Sequence, residues 1–239
     1  MEREIRPYVA ALRLGATPVE LELRLGRGST GHFDASVTKE TMDVVLRAVA
    51  EGADGDSQEW YETHDFFYPH GGQTIRTTVE FDDLDFCLNT THVIKRRISA
   101  TDTATYRVAC ATETPVNGQT LPFSIQPHHV RIKQRRSIHI AALDLETPLW
   151  RYDFTMVWAG DTQQSAERSQ RSAPPRYEVE VEVLPAAARE LLARLRATPT
   201  PGEAPDETLV AYLEHRIHEI AHGLGQLTVS AFRENRVLI

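Results

Sequence analysis

Cysteine is almost missing from this chain of 239 residues, which holds only Cys87 and Cys110. Two thiols are too few for a disulfide framework or a thiolate zinc site. Neither stands in a loop of the type His-Cys, five residues, Arg, so covalent cysteine chemistry on phosphate has no candidate. Both read as small buried structural side chains. Long apolar runs are missing as well, which argues against a membrane partner. The opening residues "MEREIRPYVAALRLG" are acidic where a secretory signal would be basic and then apolar, so an intracellular protein is expected. Internal repeats and composition shifts are absent, which leaves a single domain over residues 1–239.

Hydrophobic residues make up 41% and charged residues 25%, the balance of a globular protein with a full core. A net charge of −8 argues against general nucleic-acid binding. The charge is unevenly spread. Residues 1–90 hold 8 basic and 17 acidic side chains, whereas residues 91–151 hold 9 basic and 4 acidic, a local surplus of 9 − 4 = 5 positive charges.

Periodicity predicts a helix over residues 1–14, with Ile5, Val9 and Leu12 on one side, and a second over Val37–Ala50 capped by Ser36 or Thr38. Eight strand-like segments fall at Val19–Leu25, Trp60–Tyr68, Thr74–Phe81, Thr91–Ser99, Thr105–Ala111, His129–Ile140, Leu149–Trp158 and Tyr177–Leu184. The connectors "EGADGDSQ" and "ETPVNGQTLPFSIQP" read as loops, and "GDTQQSAERSQRSAPPR" reads as polar and disordered. Helices over Ala186–Arg196 and Asp206–His222 close the chain, separated by "ATPTPGEAP". Eight consecutive strands without intervening helices predict an α+β, mainly β fold: an eight-stranded antiparallel barrel over about residues 18–184, flanked by helices.

The strand faces say which way the barrel is turned. In "WRYDFTMVW" the residues Trp150, Tyr152, Phe154, Met156 and Trp158 share one face, and Arg151, Asp153 and Thr155 the other. An aromatic stripe of that length calls for cover, which the helices supply. In "VELELRLGR", Glu20, Glu22 and Arg24 alternate with Val19, Leu21, Leu23 and Leu25; in "YEVEVEV", Glu178, Glu180 and Glu182 alternate with valines. Arg131, Lys133 and Arg135 share a face, as do Lys95 and Arg97, Arg76 and Glu80, and Arg107 and Glu113. Carboxylates and cations thus stand in separate ladders. Like charges in a ladder repel, so the pattern predicts a charged lumen holding counter-charges or ions, beneath an apolar exterior. A sheet with one solvated face and unrelated ion pairs is the alternative. Converging carboxylates without His or Cys suit Mg²⁺ or Mn²⁺, and facing Arg and Lys suit phosphate oxygens. That combination is what phosphoryl transfer to water requires.

On these residues the chain resembles the metal-dependent mRNA-capping RNA 5′-triphosphatases of the fungal, protozoal and viral type, within the triphosphate tunnel metalloenzymes. "VELELRLG" is similar to that family's Glu-x-Glu-x-Arg strand and "YEVEVEV" to its Glu-x-Glu-x-Glu strand, and the similarity spans roughly residues 18–184. The resemblance implies an eight-stranded tunnel. It implies that Glu20, Glu22 and Glu182 bind Mg²⁺ or Mn²⁺, and that Glu178 and Glu180 hold water on the metal or the basic partners. Arg76, Lys95, Arg131, Lys133 and Arg135 correspond to its phosphate-binding side chains, Glu113 to the glutamate that orients the attacking water, and Arg151 with Asp153 to its Arg-x-Asp pair. The register of "KRR" and "RR" leaves a one-residue slip open. Arg24 stands where the cyclase and thiamine-triphosphatase branch typically has Lys, which favours the capping branch. The implied activity is removal of the γ-phosphate from triphosphate-ended RNA, and of nucleoside triphosphates, in the nucleus or at a site of viral transcription. No Lys-x-Asp-Gly guanylyltransferase motif is present, so a guanylyltransferase is an implied partner.

Three other readings compete. An inorganic tripolyphosphatase or thiamine-triphosphatase-like tunnel would use the same lumen, and a non-enzymatic barrel would only bind polyphosphate. "HEIAHGLG" matches the zinc-protease pattern His-Glu-x-x-His, with His218 and His222 on one helical face and Glu219 as base. Against it, Thr228 stands at the metzincin third-histidine position, and no methionine follows Met156 to build a Met-turn. An amphipathic terminal helix packing through Leu213, Ile217 and Ile220 accounts for the same residues.

Overall fold

The computed structural model describes residues 1–15, 18–53, 59–81, 87–117, 125–142, 145–198 and 204–236, with side chains as far as residue 227. The elements run α1 (Glu2–Leu14), β1 (Val19–Leu25), β2 (Arg27–Ser29), β3 (His32–Asp34), α2 (Lys39–Gly52), β4 (Tyr61–His70), β5 (Gln73–Phe81), β6 (Cys87–Asp102), β7 (Tyr106–Pro115), β8 (His129–Ile140), β9 (Trp150–Gly160), α3 (Gln163–Ser172), β10 (Arg176–Val183), α4 (Pro185–Ala197) and α5 (Pro205–Arg236). Eight of the strands close into an antiparallel barrel in the order β1-β10-β9-β8-β4-β5-β6-β7, with β7 pairing back onto β1. The expected barrel and its eight strands are therefore observed, and β2 and β3 add a small hairpin that the sequence pattern did not announce.

Alternation sets the inside and the outside. The odd residues Val19, Leu21, Leu23 and Leu25 of β1 and Val179, Val181 and Val183 of β10 are buried, and they point outward into a core shared with the helices. Trp150 and Phe154 join them from β9. Ile5, Tyr8, Val9 and Leu12 cover this layer from α1, Met42 and Val45 from α2, Leu191 and Leu192 from α4, and Leu209, Leu213 and Ile217 from α5. The Tyr8 hydroxyl on the buried face of α1 donates to the Val183 carbonyl at 3.1 Å. Truncating a fully buried residue of this layer such as Leu21 would remove about 2–5 kcal/mol. The main core thus lies outside the barrel, and the charged faces are left to line its interior.

Local chemistry accounts for the ends. Thr38 is the cap of α2, its Oγ1 accepting from the Thr41 backbone N–H at 3.2 Å, while Ser36 donates to Asp34 instead. The turn between β4 and β5 consists of Gly71 and Gly72, both at positive φ, which is what a two-residue hairpin turn asks of its central pair. Gly28 brings β2 against the β6–β7 turn, where its N–H donates to the Ala104 carbonyl at 3.0 Å and an added Cβ would overlap the Thr103 carbonyl.

Three readings change. "GDTQQSAERSQRSAPPR", expected to be disordered, contains α3: Thr162 and Ser165 form a reciprocal capping box, and Ala166 is fully buried against Val130 and Ile132 of β8. One small apolar residue among polar ones gives no visible period, which is why the helix is invisible in the pattern. α5 runs to Arg236, well past His222. Cys110 is buried as expected, but Cys87 is exposed, near the start of β6. Parts of the connectors "EGADGDSQ", "ETPVNGQTLPFSIQP" and "ATPTPGEAP" lie outside the described residues.

Candidate active site

The lumen encloses a cavity of about 570 Å³, and every residue that the resemblance implies as a metal, phosphate or water partner lines it. The acidic wall is built by β1 and β10, with Glu20, Glu22, Glu178, Glu180 and Glu182. A basic wall faces it from β5, β6 and β8: Arg76, Lys95, Arg131, Lys133 and Arg135. Arg151 and Asp153 of β9 and Glu113 of β7 stand between the two. The slip left open in the basic strands is resolved. Lys95 and Arg97 line the cavity and Arg96 does not, with a bulge following between Arg97 and Ser99; Arg135 lines it and Arg136 does not.

Eight carboxylates and nine cations line the cavity, so each ladder is close to balanced by the other. Lys95 pairs with Glu20 and lies 3.4 Å from Glu22. Arg24 bridges Glu22 at 3.0 Å and Glu180 at 3.1 Å. Arg76 pairs with Glu113 at 2.8 Å, and Arg151 pairs with Glu182 and, at 3.1 Å, with Asp153. Asp153 also accepts from the Ser137 hydroxyl at 2.6 Å and lies 3.4 Å from Arg135.

The register puts a strain into this balance. Glu22 and Glu182 are direct cross-strand partners of β1 and β10, so two carboxylates face each other, and Glu20 lies two residues away on the same face. Burial pushes Glu182 up to about 7, with Glu20, Asp153 and Glu22 adding to the rise against the pull of Arg151. Burial, then the Glu22 charge, also raises Glu20 despite Lys95. Glu180 behaves differently. Burial opposes its ionisation, but Arg24, Arg135, Lys133 and Lys95 hold it well below the usual carboxylate range.

Arg97 lines the cavity beside Lys95, and Asp65 and Phe67, which were not singled out, line it too. Asp65 is 2% exposed, pairs with the Lys133 ammonium at 2.6 Å and accepts from the Thr78 hydroxyl at 2.7 Å. Burial opposes its charge, yet Lys133 and Arg76 hold it down at about 2. Lys133 is itself lowered, first by burial and then by Arg135 and Arg76 against the support of Asp65. The two shifts pull in opposite senses for the pair. The charged pair is favoured by the contact distance, and the pressure on Lys133 measures the positive charge crowded around it. β4 hid Asp65 because aromatic residues stand at both parities, Phe66 outward and Phe67 inward, which erases the alternation.

The lumen suits an anion on one side and a cation on the other. The Nε atoms of Arg24, Arg76 and Arg135 are buried without hydrogen-bond acceptors, donors that phosphate oxygens would satisfy. The facing carboxylates of Glu20, Glu22 and Glu182 are a hard, all-oxygen donor set. Among the described residues, no three His, Cys, Asp or Glu side chains are drawn together as a ready metal cage. In the lumen this reflects the lysine and arginines that now neutralise the glutamates.

His218, Glu219 and His222 are all exposed on α5, outside the barrel. Glu219 pairs with Arg216 and His215, and Ile217 and Leu213 of the same helix are buried in the core. The helix packs as its apolar stripe predicts, and no third ligand for the two histidines stands beside them among the described residues.

No protein-family profile matches the sequence, and neither does any curated protein sequence. Solved structures do match. The RNA triphosphatase Pct1 of S. pombe superposes with a TM-score of 0.61 at 16% identity, covering 90% of this chain and 89% of that one. In its complex with the Spt5 CTD the TM-score is 0.60, with 16% identity and 90% of each chain covered. The triphosphatase of the Mimivirus capping enzyme gives 0.50 at 16% identity, covering 77% of this chain and 90% of that one. The fold is that of the RNA triphosphatase tunnel. At such low identity the likeness is one of architecture, and what the tunnel does here rests on its own side chains.

Proposed function

We propose that the protein is a metal-dependent RNA 5′-triphosphatase that removes the γ-phosphate from triphosphate-ended RNA, and from nucleoside triphosphates, to leave a diphosphate end. The observation that carries this reading is the pairing of Glu22 opposite Glu182 in a closed lumen whose far wall is arginine and lysine. Opposed buried carboxylates are unfavourable alone, and a divalent cation relieves them. Glu20, Glu22 and Glu182 would hold Mg²⁺ or Mn²⁺, which supplies charge neutralisation on the γ-phosphate.

The chain's own groups do the rest. Arg76, Lys95, Arg131, Lys133 and Arg135 grip the phosphate oxygens, the arginines in bidentate fashion, and stabilise the charge that builds on the leaving diphosphate. For this Lys95 must exchange Glu20 and Glu22 for substrate, and Arg76 must share Glu113 with it. Glu113, released in part from Arg76, accepts a hydrogen bond from the attacking water and aligns it with the bond to be broken. Glu178 and Glu180 steady the basic wall; Glu180 remains ionised beside Arg24 and so keeps that guanidinium aimed at Glu22. Arg151 and Asp153 clamp Glu182 and Arg135 from opposite sides. On this reading the protein works where transcripts begin, in the nucleus or at a site of viral transcription, and hands its product to a guanylyltransferase.

The test is release of labelled phosphate from γ-labelled RNA by the purified protein with Mg²⁺ or Mn²⁺. Metal-dependent release with a diphosphate-ended product is expected. Binding of triphosphate without turnover under either metal would leave a polyphosphate-binding barrel.

A further inference from the structure

A second cavity of about 490 Å³ opens beside the lumen and shares four of its residues, Phe67, Arg76, Lys95 and Arg131. It adds Thr74, His128 and His129. Its place is set by topology. Phe67 and His129 are register partners of β4 and β8, two strands that meet at the barrel end carrying the Gly71–Gly72 turn. Glu20 lies at the start of β1 and Glu182 at the end of β10, which in an all-antiparallel barrel is the opposite end. Between the two, Arg131, Lys133 and Arg135 recur about every 7 Å along β8.

The chemistry of this mouth differs from that of the lumen. The Phe67 and His129 rings are 5.6 Å apart and tilted by 43°, and the Arg131 guanidinium lies over the Phe67 ring at 5.4 Å. Among the described residues Arg131 is held by these rings rather than by a carboxylate, with its Nε donating to His129 Nε2 at 3.4 Å. Burial and the Arg131 charge keep the His129 imidazole below its usual range, so it accepts that hydrogen bond as a neutral ring. Aromatic faces and a planar guanidinium, stacked beside a run of phosphate-binding cations, are the surface on which nucleobases stack. The volume falls within the range of ordinary small-molecule sites, about 300–1,000 Å³.

We infer that this mouth holds the nucleoside at the 5′ end of the substrate, stacked against Phe67 and Arg131, with its triphosphate running inward past Arg131, Lys133 and Arg135 to Glu20, Glu22 and Glu182. The inference rests on the triphosphatase reading for the direction of the phosphates. It adds that the protein distinguishes a nucleoside triphosphate from bare tripolyphosphate, without choosing among bases, because every base offers a face to stack.

The test is binding, measured by calorimetry with Mg²⁺, of three ligands that resist hydrolysis: imidotriphosphate, β,γ-imido ATP and an RNA trimer begun with that nucleotide. The readout is the affinity ratio of each nucleoside-bearing ligand to imidotriphosphate, in which any general loosening of Arg131 cancels. Phe67→Leu is expected to lower both ratios by roughly tenfold, as loss of one stacked base does, and Phe67→Trp to retain them. His128→Ala, at an exposed position that leaves the fold intact, is expected to lower them in the same direction. Unchanged ratios in both variants overturn the inference, and so does a loss confined to one carrier, because the first nucleoside is common to both. Failure of the triphosphatase reading looks different: normal ratios in a protein that releases no phosphate from RNA.

Discussion

Replacing Glu22 and Glu182 together by alanine is expected to lower γ-phosphate release at least about a thousandfold, the scale on which loss of transition-state charge stabilisation is felt. The two side chains are direct cross-strand partners, and with Glu20 they form the part of the lumen where negative charge most exceeds its compensation. Their removal would take away two of the oxygen donors proposed for the cation, together with a carboxylate, Glu182, that burial and then the neighbouring acids push up. The cations they now hold are not stranded: Arg151 keeps Asp153, and Lys95 keeps Glu20. The variant should therefore melt close to the wild type, and single-turnover assays with labelled RNA should show the loss as one of chemistry. A double variant that keeps more than a tenth of the wild-type rate contradicts the assignment.

Asp65→Ala is expected to cost about 3–5 kcal/mol of stability, the range for removing one member of a buried ion pair. Lys133 is 8% exposed, and its ammonium, already pressed by Arg135 and Arg76, would lose the carboxylate that sustains its charge. The effect carries a sign in pH. Because Asp65 is held at about 2 in the folded chain, below its ordinary 3.8, it adds stability at all pH values above its unfolded pKa. That contribution, about 2 kcal/mol by linkage, is lost as pH falls through 2. Wild type and variant should therefore differ most near neutral pH and converge in acid. Urea unfolding at pH 7 and at pH 2 measures both limbs; a loss under 1 kcal/mol at pH 7 would show that Lys133 finds another partner.

The barrel and its polarity were legible in the sequence because both faces of β1 and β10 are chemically pure, valines, leucines and a tyrosine against charges, and because one face of β9 is an aromatic stripe. Purity of that kind follows from having a dry layer outside and a charged, hydrated one inside. The candidate site was legible for the same reason, since Glu20, Glu22, Glu178, Glu180 and Glu182 alternate without interruption and all reach the lumen. Where a strand has mixed faces the reading stopped. β4 has Phe66 and Phe67 side by side, so Asp65 could not be assigned to a face, although it holds Lys133 in place. α3 escaped because its anchor is a single alanine and its capping box uses Thr and Ser, residues equally at home in loops. The reverse error was available too. The His218–His222 spacing is helical and real, but spacing along one helix does not supply a third ligand, and this face of α5 is turned to solvent.

The most direct measurement is a crystal structure of the protein soaked with Mn²⁺ and a triphosphate, with the metal placed by its anomalous scattering. A peak is expected inside the barrel within ligand distance of carboxylate oxygens from Glu20, Glu22 and Glu182, with Lys95 and Arg151 turned from those glutamates and phosphate oxygens against the basic wall. A peak at His218 and His222, or a triphosphate bound in the lumen with no metal on the three glutamates, would contradict it.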